Sequence, residues 1–357
     1  MVKLYDFRPT PEDAAAVLAA MADGEWADGP RTRAFEAAFA AAAGAGTAIA
    51  AANGTAALQA ICAACLAPGA EVLTTPFTFI ATANAICGAG AIPRFADVDP
   101  ATGNLDSEAV QEALRAYPRV RALMLVHLYG RPCDMGAFTR LAAERGLTLL
   151  EDCAQAAGAA WNGHSVGTFG RAGAFSFYAT KNLATGEGGM VTTDDPDLAA
   201  AVRRFINHGR GDAAYHHVSV GYNFRMHGLA AALGLNRLPH LSAGNAARRS
   251  HAAAYQAALA DLDWLTLPAD EPGHVYHQYV VRTPHRDRLK AHLAARGVES
   301  AVYYPDVLYR QPAYRGCGAA ACPEAERLAR EVLALPVRPG LTAAEQAQVI
   351  DAVRSFQ

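Results

Sequence analysis

Lysine is scarce in this chain. Of its 31 basic residues, all except Lys3, Lys181 and Lys290 are arginines. Arginine therefore supplies nearly every plain positive charge, and a lysine inside an apolar stretch needs a reason of its own.

The features that mark several protein classes are also missing. The net charge is −3 and no long basic run occurs, which argues against nucleic acid or an anionic membrane surface as a partner. The N-terminal residues lack the apolar core of a signal peptide. Charge or glycine interrupts the alanine-rich stretches well before the ~18 apolar residues of a membrane span. We therefore expect a cytoplasmic protein without nucleic-acid or membrane partners.

Cysteine usage excludes a disulfide framework. The seven cysteines are an odd number scattered through apolar surroundings, which is typical of a reducing compartment. Cys62 and Cys65 form a single Cys-x-x-Cys pair inside a helical pattern, and no second pair follows at the spacing of a zinc site. The sequence thus predicts core thiols and no metal.

Length and hydrophobic pattern predict two α/β domains. With 357 residues, 52% hydrophobic and 18% charged, the chain is typical of a globular protein of two domains. From 71 to 151, β-rich runs alternate with helical segments, which predicts βαβ units and a mostly parallel sheet flanked by helices. We predict a large domain over 1–240 and a small C-terminal domain over 241–357. In the small domain, the pattern predicts strands at 275–282 and 298–303 and helices at 285–296, 323–333 and 342–355.

Lys181 lies where an apolar strand enters a glycine-rich turn, between a hairpin-like pair at about 173–178 and 189–193. An amine that apolar walls desolvate can lose its proton and attack a carbonyl, whereas a guanidinium cannot form a Schiff base. By position alone, a solvated lysine at a loop tip would be the commoner interpretation. The surrounding residues favour the reactive one.

Four further features supply the groups that a phosphorylated pyridine cofactor needs. The predicted strand 147–152 ends in Asp152, a carboxylate that requires a positive partner such as a protonated ring nitrogen. Gly54-Thr55 opens a helix whose free N–H groups favour phosphate, and Ser176 can add a hydrogen bond. Phe77 offers a flat face for a ring. Each feature alone has a structural explanation, but together in this order they predict a site for pyridoxal 5′-phosphate (PLP) at the carboxyl ends of the strands.

The motifs also resemble those of a known family, the DegT/DnrJ/EryC1/StrS family of PLP-dependent, fold-type-I aminotransferases acting on keto-sugars and cyclitol ketones. The likeness runs from Gly24–Pro30 to Gln311–Tyr314, and the block around Lys181 is highly specific. The blocks that carry it are Asn53–Leu58, Pro76–Thr82, Phe95–Asp99, Val126–Gly130, Glu151–Gln155 and Phe175–Met190. The resemblance implies a mostly parallel seven-stranded sheet with a smaller C-terminal α/β domain.

The resemblance assigns roles at the cofactor ring. It implies that Lys181 is the Schiff-base lysine and that Asp152 is the partner of the pyridine nitrogen. Gln155 then lies near the hydroxyl side of the ring, and Phe77 takes the stacking position. Some relatives replace the lysine with histidine and become dehydratases, a branch against which Lys181 argues.

The resemblance also assigns the phosphate site and a partner subunit. Gly54, Thr55 and Ser176 match the phosphate-binding positions. Asn223 matches an asparagine that reaches the phosphate of the neighbouring subunit, which implies a homodimer with shared active sites.

The C-terminal part departs from the family pattern. Where relatives often carry histidines, this chain has Tyr303 and Tyr309, and Val307 replaces a proline. Because this segment lies near the acceptor in the family, we expect Tyr303, Tyr304 and Tyr309 to contact the substrate, by stacking on a base or by hydrogen bonding to a polyol.

These observations predict a PLP-dependent aminotransferase that moves an amino group from an amino acid, glutamate or glutamine, to a keto-sugar or cyclitol. Two alternatives remain open. Another fold-type-I PLP enzyme, such as an amino-acid lyase or an aminotransferase of a small non-sugar substrate, would share Lys181 and Asp152. A non-catalytic regulatory protein of the same fold would retain the fold without turnover.

Overall fold

The first half of the chain alternates strands and helices around one sheet. The computed structural model describes residues 1–314, 317 and 321–356. Its strands are β1 Thr47–Ala51, β2 Glu71–Thr74, β3 Ile92–Phe95, β4 Val120–Val126, β5 Thr148–Asp152, β6 Ala160–Trp161, β7 His164–Ser165, β8 Ala172–Ser176, β9 Gly189–Thr193, β10 Tyr279–Arg282 and β11 Val332–Leu335. Its helices are α1 Pro11–Ala22, α2 Pro30–Ala43, α3 Gly54–Cys65, α4 Ala81–Gly88, α5 Ser107–Ala116, α6 Met135–Arg145, α7 Pro196–Phe205, α8 Gly228–Arg237, α9 Leu241–Leu259, α10 Arg286–Ala295, α11 Pro323–Glu331 and α12 Ala343–Arg354.

The central sheet has seven strands in the order β1-β9-β8-β5-β4-β2-β3. Four neighbouring pairs are parallel, from β3 through β2, β4 and β5 to β8. Strand β9 runs antiparallel to both β8 and β1. The predicted mostly parallel sheet flanked by helices is therefore confirmed, and the antiparallel pair β8–β9 is the hairpin-like feature that carries Lys181 in its connection.

Short polar side chains mark where several helices begin. The Asn53 side chain accepts a hydrogen bond from the backbone of Ala56 at 2.8 Å, so α3 is capped at its first turn. Thr10 and Thr342 form capping boxes at α1 and α12. Such caps satisfy backbone N–H groups that a helix leaves unpaired at its start, which fixes the position of α3 relative to the sheet.

Small side chains let the helices approach the sheet closely. Helix α3 buries Ala56, Ala57, Ala60 and Ile61 against β8 and β9. Each large apolar side chain that becomes fully buried stabilises the fold by about 1.5–3 kcal/mol. The alanines contribute less area, but they bring the helix axis near the strands. The start of α3 consequently lies directly over the end of β8.

The C-terminal part has its own apolar core around the two-stranded antiparallel sheet β10–β11. The turn Leu238–His240 separates α8 from α9, next to the predicted boundary at 241. Two elements differ from the prediction. Residues 298–303 form only isolated bridges, and the end of the predicted helix 323–333 is strand β11. The N-terminal Val2 also packs in this core, a contact across the whole chain that no local pattern indicates.

Helix length and hydrophobicity also bear on the membrane. Within residues 1–314, 317 and 321–356, no helix reaches both the length and the apolar character that crossing a bilayer requires.

Candidate active site

Lys181 lies in the connection between β8 and β9, at the edge of a cavity of about 970 Å³. The connection is held by its own backbone, because Lys181 N–H donates to Tyr178 O and Thr185 N–H donates to Phe177 O, both at 2.8 Å. The lysine is half-buried. Burial lowers its pKa to about 8, against the opposing effect of the Asp152 charge. A substantial fraction of its amine is thus neutral near physiological pH.

Asp152 lines the same cavity at the end of β5 and is 4% exposed. Thr82 Oγ1 donates to one carboxylate oxygen at 2.8 Å, and the backbone N–H of Ala154 donates to the other at 3.0 Å. Burial raises the pKa of Asp152, although these two hydrogen bonds and the charge of Lys181 oppose the rise. A cation bound in the cavity would offset the remaining cost of burying the negative charge of Asp152.

Gly54, Thr55 and Ser176 form one end of the cavity. A Cβ atom on Gly54 would lie 2.6 Å from Cβ of Ser176. Only glycine therefore lets the N-terminus of α3 meet the end of β8. The backbone N–H groups at the start of a helix, together with two hydroxyls, make a cup suited to a dianionic phosphate.

Of the two phenylalanines that follow β2, Phe79 lines the cavity and Phe77 does not. Phe77 is fully buried in an apolar cluster and contacts Tyr304 edge-on, with ring centroids 6.3 Å apart. Phe79 is 56% exposed and lines the cavity. Phe77, the residue predicted to stack on a cofactor ring, therefore lies outside the cavity lining because it is buried in the apolar cluster, and Phe79 is the phenylalanine of this segment that lines the cavity.

Gln155 connects the cavity floor to the C-terminal part. Its side-chain oxygen accepts from Tyr129 N–H at 2.6 Å, and its amide nitrogen donates to the Tyr304 hydroxyl at 2.9 Å. Tyr303 and Tyr304 both line the cavity. The predicted contact of Tyr303 and Tyr304 with the substrate stays a prediction, and both are placed where a ligand of the cavity could reach them.

Tyr309 lies elsewhere. Its hydroxyl donates to Glu326 at 2.8 Å and its ring packs near Phe95 with centroids 6.1 Å apart. It does not line the cavity. The prediction that Tyr309 contacts the substrate is therefore wrong for this chain, because the turn Leu308–Arg310 directs the ring to α11 and β3.

Asn223 is exposed and does not line the cavity of its own chain. It forms an isolated bridge with Asn207, where the two ends of the segment 207–223 meet. Its predicted role at the phosphate of a partner subunit stays a prediction.

His277 was not predicted from the sequence, yet it lines the cavity and is 2% exposed. The Asn182 amide donates to Asn245 Oδ1 at 2.8 Å and to Val275 O at 3.2 Å, which leaves Asn182 Oδ1 as the acceptor facing His277 Nδ1 at 3.2 Å. Nδ1 thus carries the proton and Nε2 keeps a lone pair. Burial, with the charge of Lys181, lowers the pKa of His277 well below its usual range, so the ring is neutral.

Thr82 and Phe79 were not predicted either, although both lie inside the motif Pro76–Thr82. A polar residue at the second position of α4 was the available signal for Thr82. His277 and Tyr5 have no such signal, because they reach the cavity from distant parts of the chain.

A second group of polar side chains is buried and does not line the cavity. His127, Glu151 and Cys153 place potential metal-binding atoms within 4.8 Å of one another. Glu151, however, accepts hydrogen bonds from the backbone of Gly167, Phe169 and Gly170 at 2.7–2.8 Å and contacts His127 Nε2 at 3.1 Å. These groups therefore serve to anchor the loop 167–170.

The cavity fits a phosphorylated pyridine. It combines an amine of lowered pKa, a buried carboxylate that lacks a full counter-charge, a glycine whose Cβ would fill the phosphate cup, and one aromatic wall. These are the groups that bind PLP in proteins.

Comparison with known proteins agrees with this arrangement. The model of the DegT/DnrJ/EryC1/StrS aminotransferase family matches residues 9–354. A pleiotropic regulatory protein of Geobacillus stearothermophilus is 43% identical over 312 residues, 85% of this chain and 83% of that protein. The UDP-N-acetyl-3-dehydro-alpha-D-glucosamine 3-aminotransferase of Acidithiobacillus ferrooxidans is 41% identical over 336 residues, 93% and 90% of the two chains. The crystal structure of S. venezuelae DesV in complex with a ketimine intermediate has a TM-score of 0.92 at 40% identity and covers 96% of this chain and 93% of DesV.

Proposed function

Because the chain belongs to the DegT/DnrJ/EryC1/StrS aminotransferase family and is thus an aminotransferase, we propose that it moves an amino group from glutamate or glutamine to the ketone of a sugar ring. One observation carries the proposal: a single cavity contains Lys181, Asp152 and the N-terminus of α3. The relative from Acidithiobacillus ferrooxidans supports a nucleotide-linked sugar as the acceptor. A cyclitol ketone is the alternative acceptor of the same chemistry.

PLP is the cofactor that we propose for the cavity. Gly54, Thr55 and Ser176 would hold its phosphate, Phe79 would cover one face of its ring, and Asp152 would pair with its ring nitrogen. When bound, the cofactor supplies the electron sink that an amino acid needs to lose a proton from its Cα. An ionised Asp152 keeps that sink effective, because a carboxylate stabilises the protonated form of the ring nitrogen.

Lys181 acts through its Nζ atom. The lowered pKa of about 8 leaves a neutral amine that can attack a carbonyl carbon. Once released by the incoming donor, the same Nζ can take the proton from the donor's Cα. In the acceptor half of the reaction it can give a proton to the carbon that carried the ketone. Positioned general acid–base catalysis of this kind contributes roughly 10²–10⁴-fold in rate.

A homodimer is part of the proposal. Asn223 would add its amide to the phosphate cup of the partner subunit, and the segment 207–223 that carries it exposes apolar side chains. Among them, Tyr215 is 91% and Val220 is 79% exposed. Exposed apolar groups clustered on one segment favour a protein partner.

The test combines a covalent label with separate half-reactions. Borohydride reduction of the PLP-loaded protein followed by peptide mapping should place the pyridoxyl group on Lys181, and a label on Lys3 or Lys290 would contradict the assignment. Incubation with L-glutamate or L-glutamine should abolish the visible absorbance of the loaded protein, and a keto-sugar should restore it.

The same experiment separates the alternatives. An amino-acid lyase would consume the donor repeatedly without a keto acceptor, whereas the aminotransferase stops after one equivalent. A non-catalytic regulator would show no spectral change with any amino donor. The Geobacillus stearothermophilus relative is named a pleiotropic regulatory protein.

A further inference from the structure

A second cavity of about 840 Å³ is also lined by Lys181. Lys181, Thr180 and Tyr5 line both cavities, so the reactive amine stands where the two meet. We call this second space the arginine cavity, because it is also lined by Arg8, Arg237, Arg248 and Arg338.

Three of these four guanidinium groups already have a carboxylate partner. Arg8 pairs with Asp6 at 2.9 Å, Arg237 with Asp13 at 2.5 Å and Arg338 with Glu345 at 2.6 Å. These pairs account for their positive charges within the fold.

Arg248 differs from the other three. It is 5% exposed, and within the described part of the chain it has no ion pair. Its Nη1 donates to the carbonyls of Tyr276 and His277 at 3.3 and 3.2 Å, while its buried Nε has no hydrogen-bond partner there. A buried cation with no anion is costly. Burial accordingly lowers the pKa of Arg248 to about 10.

His277 contacts Arg248 through its backbone and lines the same cavity as Lys181 through its side chain. Its carbonyl holds the guanidinium, and its ring lies in the first cavity beside Lys181. The positive charges of Lys181 and of Arg248 both add to burial in lowering the pKa of His277. Both positive charges therefore act on the same residue.

We propose that Arg248 binds the α-carboxylate of the amino donor in the arginine cavity. This inference rests on the proposed function. In an α-amino acid the carboxylate is attached to the carbon that bears the amine, so it must lie near Lys181 when the donor amine takes that position. One unpaired guanidinium matches the single charge of a carboxylate, whereas a pyrophosphate would need the neighbouring arginines, which are already neutralised.

The experiment compares Arg248→Gln and Arg248→Lys with the matched control Arg8→Gln, all in the full-length, PLP-loaded protein. Arg8 lines the same cavity and carries the same charge, but it is already paired. Calorimetry with glutarate, a dicarboxylate without an amine, measures binding without turnover. We expect Arg248→Gln to weaken glutarate binding by about 10- to 100-fold, as for the loss of a charged hydrogen-bond pair, with a smaller loss in Arg248→Lys and none in Arg8→Gln.

Two further measurements distinguish a carboxylate from a pyrophosphate as the ligand of Arg248, and this inference from the proposed function. Inorganic pyrophosphate should not displace glutarate from the parent, because it would need the neighbouring arginines that are already paired, and Arg248→Gln should slow the donor half-reaction with L-glutamate more than Arg8→Gln does. Failure of the parent to bind glutarate, equal glutarate binding by Arg248→Gln, or displacement of glutarate by pyrophosphate would overturn the inference. Because glutarate binding needs no acceptor, a failure to aminate keto-sugars would contradict the proposed function and leave this result interpretable.

Discussion

At the scale of single residues, desolvation is the common cause of the unusual groups in the cavity. Burial lowers the pKa of Lys181 and of His277 and raises that of Asp152. All three are thereby shifted toward their neutral forms. Because burial shifts these groups toward neutrality, a charged ligand bound in the cavity would change their pKa values and protonation strongly.

The shifted lysine gives a pH prediction. Its pKa is lowered to about 8, so the neutral, nucleophilic fraction of Lys181 rises with pH through this value and levels off above it. The rate at which the cofactor-free protein takes up PLP should follow the same curve. In Asp152→Asn the midpoint should move to lower pH, because the Asp152 charge raises the pKa of Lys181. A midpoint near 10.5 in the parent, the ordinary value for a lysine, would contradict the desolvation of Lys181.

The two C-terminal tyrosines near the site give a matched pair of variants. Tyr304 lines the cavity and its hydroxyl accepts from Gln155, whereas Tyr309 bonds to Glu326 outside it. Tyr304→Phe should slow the acceptor half-reaction by about 5- to 100-fold, the effect of leaving a buried polar group unpaired. Tyr309→Phe should not. Stopped-flow measurement of each half-reaction checks this. If both variants slow the acceptor half-reaction equally, these tyrosines support the fold and do not contact the acceptor.

At the scale of elements, the cofactor cup is a contact between α3 and β8. The cap at Asn53 fixes where the helix starts, its alanines bring it close to the sheet, and Gly54 removes the last Cβ from the contact. The proposed phosphate site therefore depends on how closely a helix end meets a strand end, and not on any single side chain.

Gly54→Ala tests this contact. The new Cβ would lie 2.6 Å from Ser176 Cβ, so α3 must move away from β8. We expect a loss of about 1–3 kcal/mol in the free energy of unfolding and a clear loss of PLP affinity by equilibrium dialysis. In the control Gly88→Ala, the nearest atom is Gln59 Nε2 at 3.5 Å, an ordinary contact, so PLP affinity should stay unchanged and the free energy of unfolding should not fall. Unaltered PLP affinity in Gly54→Ala would show that the cup tolerates a wider gap.

At the scale of the whole molecule, one chain holds every proposed site residue except Asn223 in or beside the cavity. The segment 207–223 instead carries exposed apolar groups, including Tyr215 and Val220. This distribution is what we expect of a chain whose site is completed by a second copy.

Hybrid dimers test that expectation. Lys181→Ala and Asn223→Leu should each be inactive or severely impaired alone, because one lacks the reactive amine and the other lacks the amide. Mixing the two under exchange conditions should restore part of the activity, since one site of each hybrid has both groups intact. Sedimentation equilibrium should give a dimer, and a fully active monomer would contradict shared sites.

The sequence alone determined the features that depend on neighbours along the chain. Alternating strands and helices, the helix that opens at Gly54-Thr55, the strand that ends at Asp152 and the strand that carries Ser176 all follow from periodicity and local chemistry, and the family resemblance is confirmed. The scarcity of lysine by itself makes Lys181 conspicuous among the basic residues. Local signals suffice here because parallel strands bring their carboxyl ends to one edge of the sheet.

Only the tertiary structure decided which side chains face the cavity and which distant residues join it. Phe77 and Phe79 are equivalent by alternation, but the fold buries the first in an apolar cluster and leaves the second 56% exposed at the cavity, although both rings lie near Tyr304. Tyr309 turns away from the cavity. His277 joins the cavity and Arg248 joins the arginine cavity, both from positions far along the chain. Such contacts depend on how the C-terminal part packs against the large sheet, and no period or motif in the sequence encodes that packing locally.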